Sequence, residues 1–231
     1  LNSKEFEKWP ELERFILHQI FLLNNKFENY FKEYNFHKLY KELLNFCSLD
    51  LSAFYFDIRK DVLYCDDLNS EKRKNCILVL NIILESLLKW FAPILSFTTE
   101  EIFNLVNKDN DNSIHLEKFV QIPSKWKNQE LNENWIKIKK IRDLANISIE
   151  NKRANKLIGS SLEANVKIKL NKKFYQLAKN FDFAEICITS GAEIILDEKI
   201  SDEINVETIK AEGEKCKICW KIKKGKCERH G

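Results

Sequence analysis

Apolar residues recur three and four apart through most of the first hundred positions, which predicts a run of helices. Trp9-Pro10 opens the first, with Leu12, Phe15, Ile16, Gln19, Leu22, Leu23, Phe27, Tyr30, Phe31 and Tyr34 mostly on that spacing. A second helix is predicted from about Asn35 to Tyr64, its stripe of Leu51, Phe54, Tyr55, Ile58, Val62 and Cys65 filling one narrow arc. Phe56 and Tyr64 project from its other side, and a helix apolar on two sides belongs in the middle of a bundle. A third, about Ser70 to Phe91, carries Ile77, Leu80, Ile83, Leu84, Leu87, Leu88 and Phe91 and stops before Pro93. Thr98-x-x-Glu101 reads as a capping box opening a short fourth helix through Val106. Four consecutive helices with short joins predict an antiparallel bundle.

The pattern changes after that. Asn107–Ser113 is a polar turn, and Ile114–Lys125, with Pro123, an extended connector. A helix over about Glu133–Glu150 puts Trp135, Ile138, Ile141, Ala145 and Ile149 on one side. Prolonged, it would carry Lys152 and Lys156 onto that apolar side, so either it ends near Asn151 or the face meets a charged partner. Beyond Gly159-Ser160-Ser161 the period becomes two: Ala164–Leu170 alternates as a half-buried strand should. Lys172–Asn180 reads as a short helix, Ala184–Ile188 and Ala192–Leu196 as strands turning at Ser190-Gly191, and Ile204–Ile209 as a last strand. The expected fold is mostly α. An antiparallel helical bundle over 1–125 is followed by a connecting helix and small α/β module over 126–207 and a C-terminal zinc knuckle over 208–231.

The chemistry sits at the end of the chain. Cys216-Lys-Ile-Cys219 is followed after seven residues by Cys227-Glu-Arg-His230. Each C-x-x-[C/H] pair is a tight turn that aims two ligands at one point, and two such pairs close a tetrahedral site for Zn²⁺. Four protein ligands leave no position open for substrate, so one structural Zn²⁺ is expected. The alternatives are chance clustering or a redox C-x-x-C, which normally caps a helix near a βαβ pattern; this one lies in a Lys-rich tail. Cys47, Cys65, Cys76 and Cys187 fall on or beside apolar stripes at scattered spacings, as reduced buried thiols of a cytoplasmic protein do.

Composition adds three points. No apolar run among the 231 residues reaches membrane-spanning length, and no signal-peptide pattern opens the chain. The chain contains no Met and starts at Leu1, which points to a piece of a longer protein. The net charge of +3 is uneven: Glu133–Asn180 holds 12 Lys/Arg against 4 Asp/Glu, Thr208–Gly231 holds 8 against 3, and the remainder carries −10. A basic half joined to an acidic one suggests a face for a polyanion. AT-rich coding would explain abundant lysine, but not its crowding into the second half.

Four stretches carry a resemblance. Phe46-Cys-Ser-Leu-Asp-Leu-Ser-Ala-Phe-Tyr-Phe-Asp-Ile-Arg-Lys-Asp-Val-Leu-Tyr64 resembles the anticodon-binding helical domain of class I aminoacyl-tRNA synthetases, most of all the bacterial isoleucyl-tRNA synthetases. Phe91-Ala-Pro-Ile-Leu-Ser-Phe-Thr-Thr-Glu-Glu-Ile-Phe103 resembles the family's join between third and fourth helices. Ile158-Gly-Ser-Ser-Leu-Glu-Ala164 resembles the start of its C-terminal α/β module, and Cys216-x-x-Cys219-Trp220 with the second pair its zinc module. The four occur in the family's order, and Cys-Trp favours isoleucine over valine, leucine or methionine. Two features depart from the family: the connector between the pairs is short, and His230 stands where a cysteine is usual, although imidazole is an equally good zinc ligand. Neither an H-x-G-H nor a K-M-S-K-S motif occurs. The resemblance therefore implies binding of isoleucine tRNA by its anticodon arm. Aminoacylation, editing, ATP and Mg²⁺ would belong to upstream domains of the same, monomeric, polypeptide.

Trp220 can lie across the metal site as packing or offer its face to a base. Lys221, Lys223, Lys224, Lys226 and Arg229 form either a phosphate-facing surface or a solvated run. Lys152, Arg153 and Lys156, before the Gly-Ser-Ser turn, can grip backbone phosphates or stand exposed. Asp50, Asp57, Arg59, Lys60 and Asp61 favour ion pairing inside the bundle. His18, His37 and His115 have no partner at ligand spacing and read as structural or surface groups. The competing function is a zinc-stapled helical module that docks another protein.

Overall fold

The computed structural model describes residues 6–108, 112–200 and 203–231, and the chain divides into two compact units at Gln129. In the first, α1 spans Glu11–Lys32, α2 Phe36–Asn45, α3 Asp57–Cys65, α4 Glu71–Phe91 and α5 Ser96–Val106. Between α2 and α3 the chain stays helical but widens to a π-helix over Phe46–Phe56. Asn35 and Ser70 cap α2 and α4 by accepting from the amides of Lys38 and Arg73.

Direction follows from which residues meet. Arg59 reaches Glu13, and Tyr55 reaches both Glu13 and Cys76. At the other end Phe46 and Phe27 pack on Trp90, with ring centroids 6.4 and 5.0 Å apart. The helix through residues 36–65 therefore runs against α1 and α4, which run alongside each other, as in an up-down-up bundle. Trp90 Nε1 donates to Asn24 Oδ1, and Asn24 Nδ2 donates to the Val120 carbonyl. This chain of bonds satisfies a polar group in the core and ties down the segment after α5.

Three expectations are corrected in this unit. The second helix buries the stripe Leu51, Phe54, Tyr55, Ile58 and Val62, but its other side is open: Phe56 is exposed and Tyr64 is 84% exposed. The helix thus has one buried face. In α4 the buried residues are Cys76, Val79, Ile83, Ser86, Leu88 and Trp90. Ile83 and Leu88 bear out the expected stripe, Leu84 packs against the cluster that holds Leu88, Ile77 lies outside, and Leu80, Leu87 and Phe91 are at the margins. Thr98 does not cap α5. The helix begins two residues earlier at Ser96, and Glu101 is exposed. In the polar turn expected over Asn107–Ser113, residues 109–111 lie outside the described residues. The connector after it is extended except for 3₁₀ turns at Ile114–Leu116 and Ser124–Trp126.

In the second unit α6, Gln129–Ala154, buries Trp135, Ile138, Ile141, Ala145 and Ile149 as expected, and continues past Asn151. It ends in a Schellman motif: Lys156 has φ 56°, its amide donates to Arg153 O, and the Leu157 amide donates to Lys152 O. β1 (Ala164–Leu170), β2 (Gly191–Leu196) and β3 (Ile204–Lys210) form a sheet in the order β2-β1-β3, with β1–β2 parallel and β1–β3 antiparallel. A parallel neighbour needs a crossover, and α7 (Lys172–Ala178) and α8 (Phe183–Ile186) supply it. α8 corrects the strand expected over Ala184–Ile188. Asp182 caps it at the Glu185 amide, and the turn closes through Ile188 at φ 55°. A last hairpin, β4 (Glu214–Lys215) with β5 (Ile222–Lys223), carries the cysteines.

Candidate metal centre and basic surfaces

The hairpin brings the four expected ligands together. The Cys216 amide donates to Lys221 O and the Trp220 amide to Cys216 O, which folds the first Cys pair into a tight loop. Gly213 enters β4 at φ 126°, and a Cβ there would meet the Lys223 carbonyl oxygen at 2.1 Å, so only glycine fits. Ligand atoms of Cys216, Cys219, Cys227 and His230 all lie within 4.8 Å of one another. His230 Nδ1 is 3.5 Å from both Cys216 Sγ and Cys227 Sγ, and Cys219 Sγ is 3.8 Å from Cys227 Sγ. A tetrahedron with zinc–sulfur bonds of about 2.3 Å and a zinc–nitrogen bond of about 2.0 Å has edges of roughly 3.8 Å between sulfurs and roughly 3.5 Å from sulfur to nitrogen. The spacing and the donor set therefore fit a tetrahedral metal, with imidazole as the fourth ligand.

The sulfurs are prepared unequally. Backbone hydrogen bonds from Cys219 and Ile218 hold the Cys216 thiol down to about 6. One from Arg229 lowers Cys227, whereas burial pushes Cys219 up to about 11. Three thiolates and a neutral imidazole around a divalent ion would leave one net negative charge on the hairpin.

Trp220 is 59% exposed, at φ 62° in the left-handed region, with Lys215 Nζ 5.5 Å from its ring centroid. Lys221 and Lys223 are half-buried on the hairpin, and Lys226 and Arg229 are exposed. Lys224 differs from these, because its ammonium pairs with Glu212 at 2.9 Å. At the end of α6, Lys152 is half-buried, Arg153 pairs with Glu150 at 2.7 Å, and Lys156 stands exposed on the left-handed turn. Sequence reasoning missed Lys215 and Glu212. Neither has a spacing signal, since the hairpin register alone brings them to their partners.

The other singled-out groups serve the bundle. Arg59 is buried against Glu13, and Lys60 forms an exposed pair with Asp57. His18 is buried and accepts the Asn128 amide at Nδ1, while His37 and His115 are exposed. Among the described residues no helix is long and apolar enough to cross a membrane.

Residues 13–168 match the family described as the anticodon-binding domain of tRNA ligase. The isoleucine–tRNA ligase of Pelagibacter ubique (strain HTCC1062) is 63% identical over 230 residues, covering 100% of this chain and 25% of the relative. Those of Bartonella quintana (strain Toulouse) and Agrobacterium fabrum (strain C58 / ATCC 33970) are 42% and 39% identical, each over 92% of this chain and 23% of the relative. The chain thus spans about a quarter of the length of the curated relatives it matches.

Proposed function

The chain belongs to the family of anticodon-binding domains of tRNA ligases, and from that premise we propose that it grips the anticodon arm of isoleucine tRNA for an isoleucine–tRNA ligase. The observation that carries this reading is similarity to isoleucine–tRNA ligases along the whole chain, the Cys/His hairpin included. The chain itself has no aminoacylation chemistry, since it lacks both nucleotide motifs. Activation of isoleucine with ATP and Mg²⁺, transfer to tRNA and editing belong to other parts of the polypeptide, a cytoplasmic monomer.

One zinc ion, held by Cys216, Cys219, Cys227 and His230, fixes the hairpin. With four protein ligands it has no catalytic position. The hairpin offers Trp220 for stacking on a base, with Lys221, Lys223 and Arg229 toward phosphates. Lys224, tied to Glu212, contributes less. Lys152, Arg153 and Lys156 form a second phosphate contact at the end of α6. Phosphate contacts position the RNA, whereas base contacts discriminate.

Footprinting on isoleucine tRNA and on a tRNA of unrelated anticodon tests the proposal. Protection of the isoleucine anticodon arm alone is expected. Equal protection of both, or protection confined to the acceptor end, would refute it.

A further inference from the structure

Ser190 lies just ahead of β2 and is 2% exposed. Its amide donates to Ala164 O at 2.9 Å, and its hydroxyl donates to Leu162 O. Both partners flank the start of β1, so the serine is fixed to the sheet at two points. A hydroxyl has one proton to give and lone pairs to accept with. With the proton committed to Leu162, Ser190 Oγ accepts the Ile222 amide at 2.6 Å.

That amide is available for a reason of register. In β4–β5, Lys215 faces Ile222, and the neighbouring pair Cys216/Lys221 is joined by the Cys216 N–H to Lys221 O bond. Hydrogen-bonded and non-bonded pairs alternate in an antiparallel ladder. Lys215/Ile222 is thus a non-bonded pair, and the Ile222 N–H points outward from the hairpin. Left alone it would be an unpaired edge donor. Ser190 takes it up and so joins the metal-binding hairpin to the three-stranded sheet. Trp220 stands two residues before the joined amide.

We infer that Ser190 is a positioning residue for tRNA binding: its hydroxyl sets the orientation of the Cys₃His hairpin, and with it the Trp220 ring, on the α/β module. The RNA consequence rests on the proposed function; the mechanical part does not. Zinc holds the hairpin together internally, and Ser190 fixes how it is presented. Losing the hydroxyl should therefore leave the metal site formed while Trp220 loses its fixed place.

The test uses the whole chain loaded with zinc, or with cobalt where absorption is read. Ser190→Ala is expected to keep one metal per chain and an unchanged cobalt spectrum. Hydrogen exchange of the Ile222 amide should quicken about tenfold, the size of one lost hydrogen bond, and binding of isoleucine tRNA should weaken several-fold. Trp220→Ala should then cost less in the Ser190→Ala background than in the wild type, since neighbours that act together are not additive. Ser190→Thr keeps the hydroxyl and should behave as wild type, and it decides the matter if Ser190→Ala loses its metal. Unchanged Ile222 exchange in Ser190→Ala, or Ser190→Thr as damaging as Ser190→Ala, overturns the inference. A wild-type chain that binds no isoleucine tRNA, while Ile222 exchange still responds to Ser190, refutes the proposed function and upholds the positioning of the hairpin.

Discussion

Arg59 grips Glu13 with two hydrogen bonds of 2.6 Å, Nε to Oε1 and Nη2 to Oε2, and the two side chains are only 3% and 0% exposed. Tyr55 OH lies 3.5 Å from the same carboxylate. Removing one partner of such a pair strands the other charge away from water, at a cost of about 3–5 kcal/mol. Arg59→Ala and Glu13→Ala should each lower the stability of the bundle by that amount in urea denaturation. The double change Glu13→Leu, Arg59→Met should recover most of it, because apolar side chains of similar volume carry no desolvation cost. A single-mutant loss below about 1 kcal/mol would mean that water reaches the pair.

This pair also shows what was legible in the sequence. Helix existence and the strand Ala164–Leu170 follow from apolar period alone, and the metal ligands from their spacing. Glu13 and Arg59 are 46 positions apart, and no local pattern links them. Faces were harder to read than elements. The stripe from Leu51 to Val62 is buried as its spacing predicts, even across the π-helix over Phe46–Phe56, but nothing in the spacing shows that Phe56 and Tyr64 on the other side stay exposed. In α4 twelve of the sixteen positions from Cys76 to Phe91 are apolar, so Trp90 and Cys76 could be seen as inward only from what packs on them. The helix ends at Phe91 and Val106 fall where the sequence put them, but left-handed stops are harder to read. Glycine is the usual signal for a left-handed stop, but Tyr34, Lys156 and Ile188 hold that conformation here. The third of these ends α8, where Ala184–Ile188 had read as a strand.

Lys156 separates stability from binding. A lysine at φ 56° carries a steric cost that glycine does not, of about 1 kcal/mol. Lys156→Gly should therefore raise the stability of the second unit slightly in thermal unfolding, while weakening tRNA binding through the lost charge. A variant that is less stable would show that the lysine stem supports the turn.

His18 gives the bundle a pH dependence of known sign. Its Nδ1 accepts the Asn128 amide at 3.1 Å. Burial, with a lesser contribution from Lys127, holds its pKa below the ordinary 6.5. The unfolded chain therefore takes up a proton first. The stability His18 contributes is complete above pH 6.5 and is lost as pH falls through the lower folded value. His18→Asn, which keeps an acceptor near Nδ1, should flatten the stability profile below that pH. An unchanged profile would mean that another group titrates there.

Metal binding should displace protons unevenly. At neutral pH Cys216, held down to about 6, is mostly ionised, whereas Cys219, pushed up to about 11, keeps its proton; Cys227 is lowered by its backbone hydrogen bonds. Zinc binding near neutral pH should thus release the Cys219 proton but hardly any from Cys216, measurable by calorimetry in buffers of different ionisation enthalpy. Affinity should fall steeply as pH drops through about 6, where Cys216 also protonates. Chelation should unfold the hairpin and leave bundle melting unchanged. Full zinc occupancy in Cys216→Ser, Cys219→Ser would refute the ligand set.

The hairpin's two kinds of RNA contact should differ in their response to salt. Trp220 exposes its ring, with Lys215 within cation–π distance of it. Stacking a base on the ring is a local contact of about 1–3 kcal/mol by alanine substitution. Trp220→Ala should lower affinity by that amount and leave the slope of log K against log salt unchanged. Lys223→Ala removes roughly one phosphate contact and should flatten the slope by about one unit. Lys224→Ala should do less than Lys223→Ala, because the Lys224 ammonium is engaged by Glu212 at 2.9 Å. Glu212→Gln should then raise tRNA affinity by freeing that lysine. Zinc content measured beside affinity keeps the cases apart. If Trp220→Ala loses zinc, the ring supports the metal site. If zinc and affinity are both retained, Trp220 takes no part in stacking.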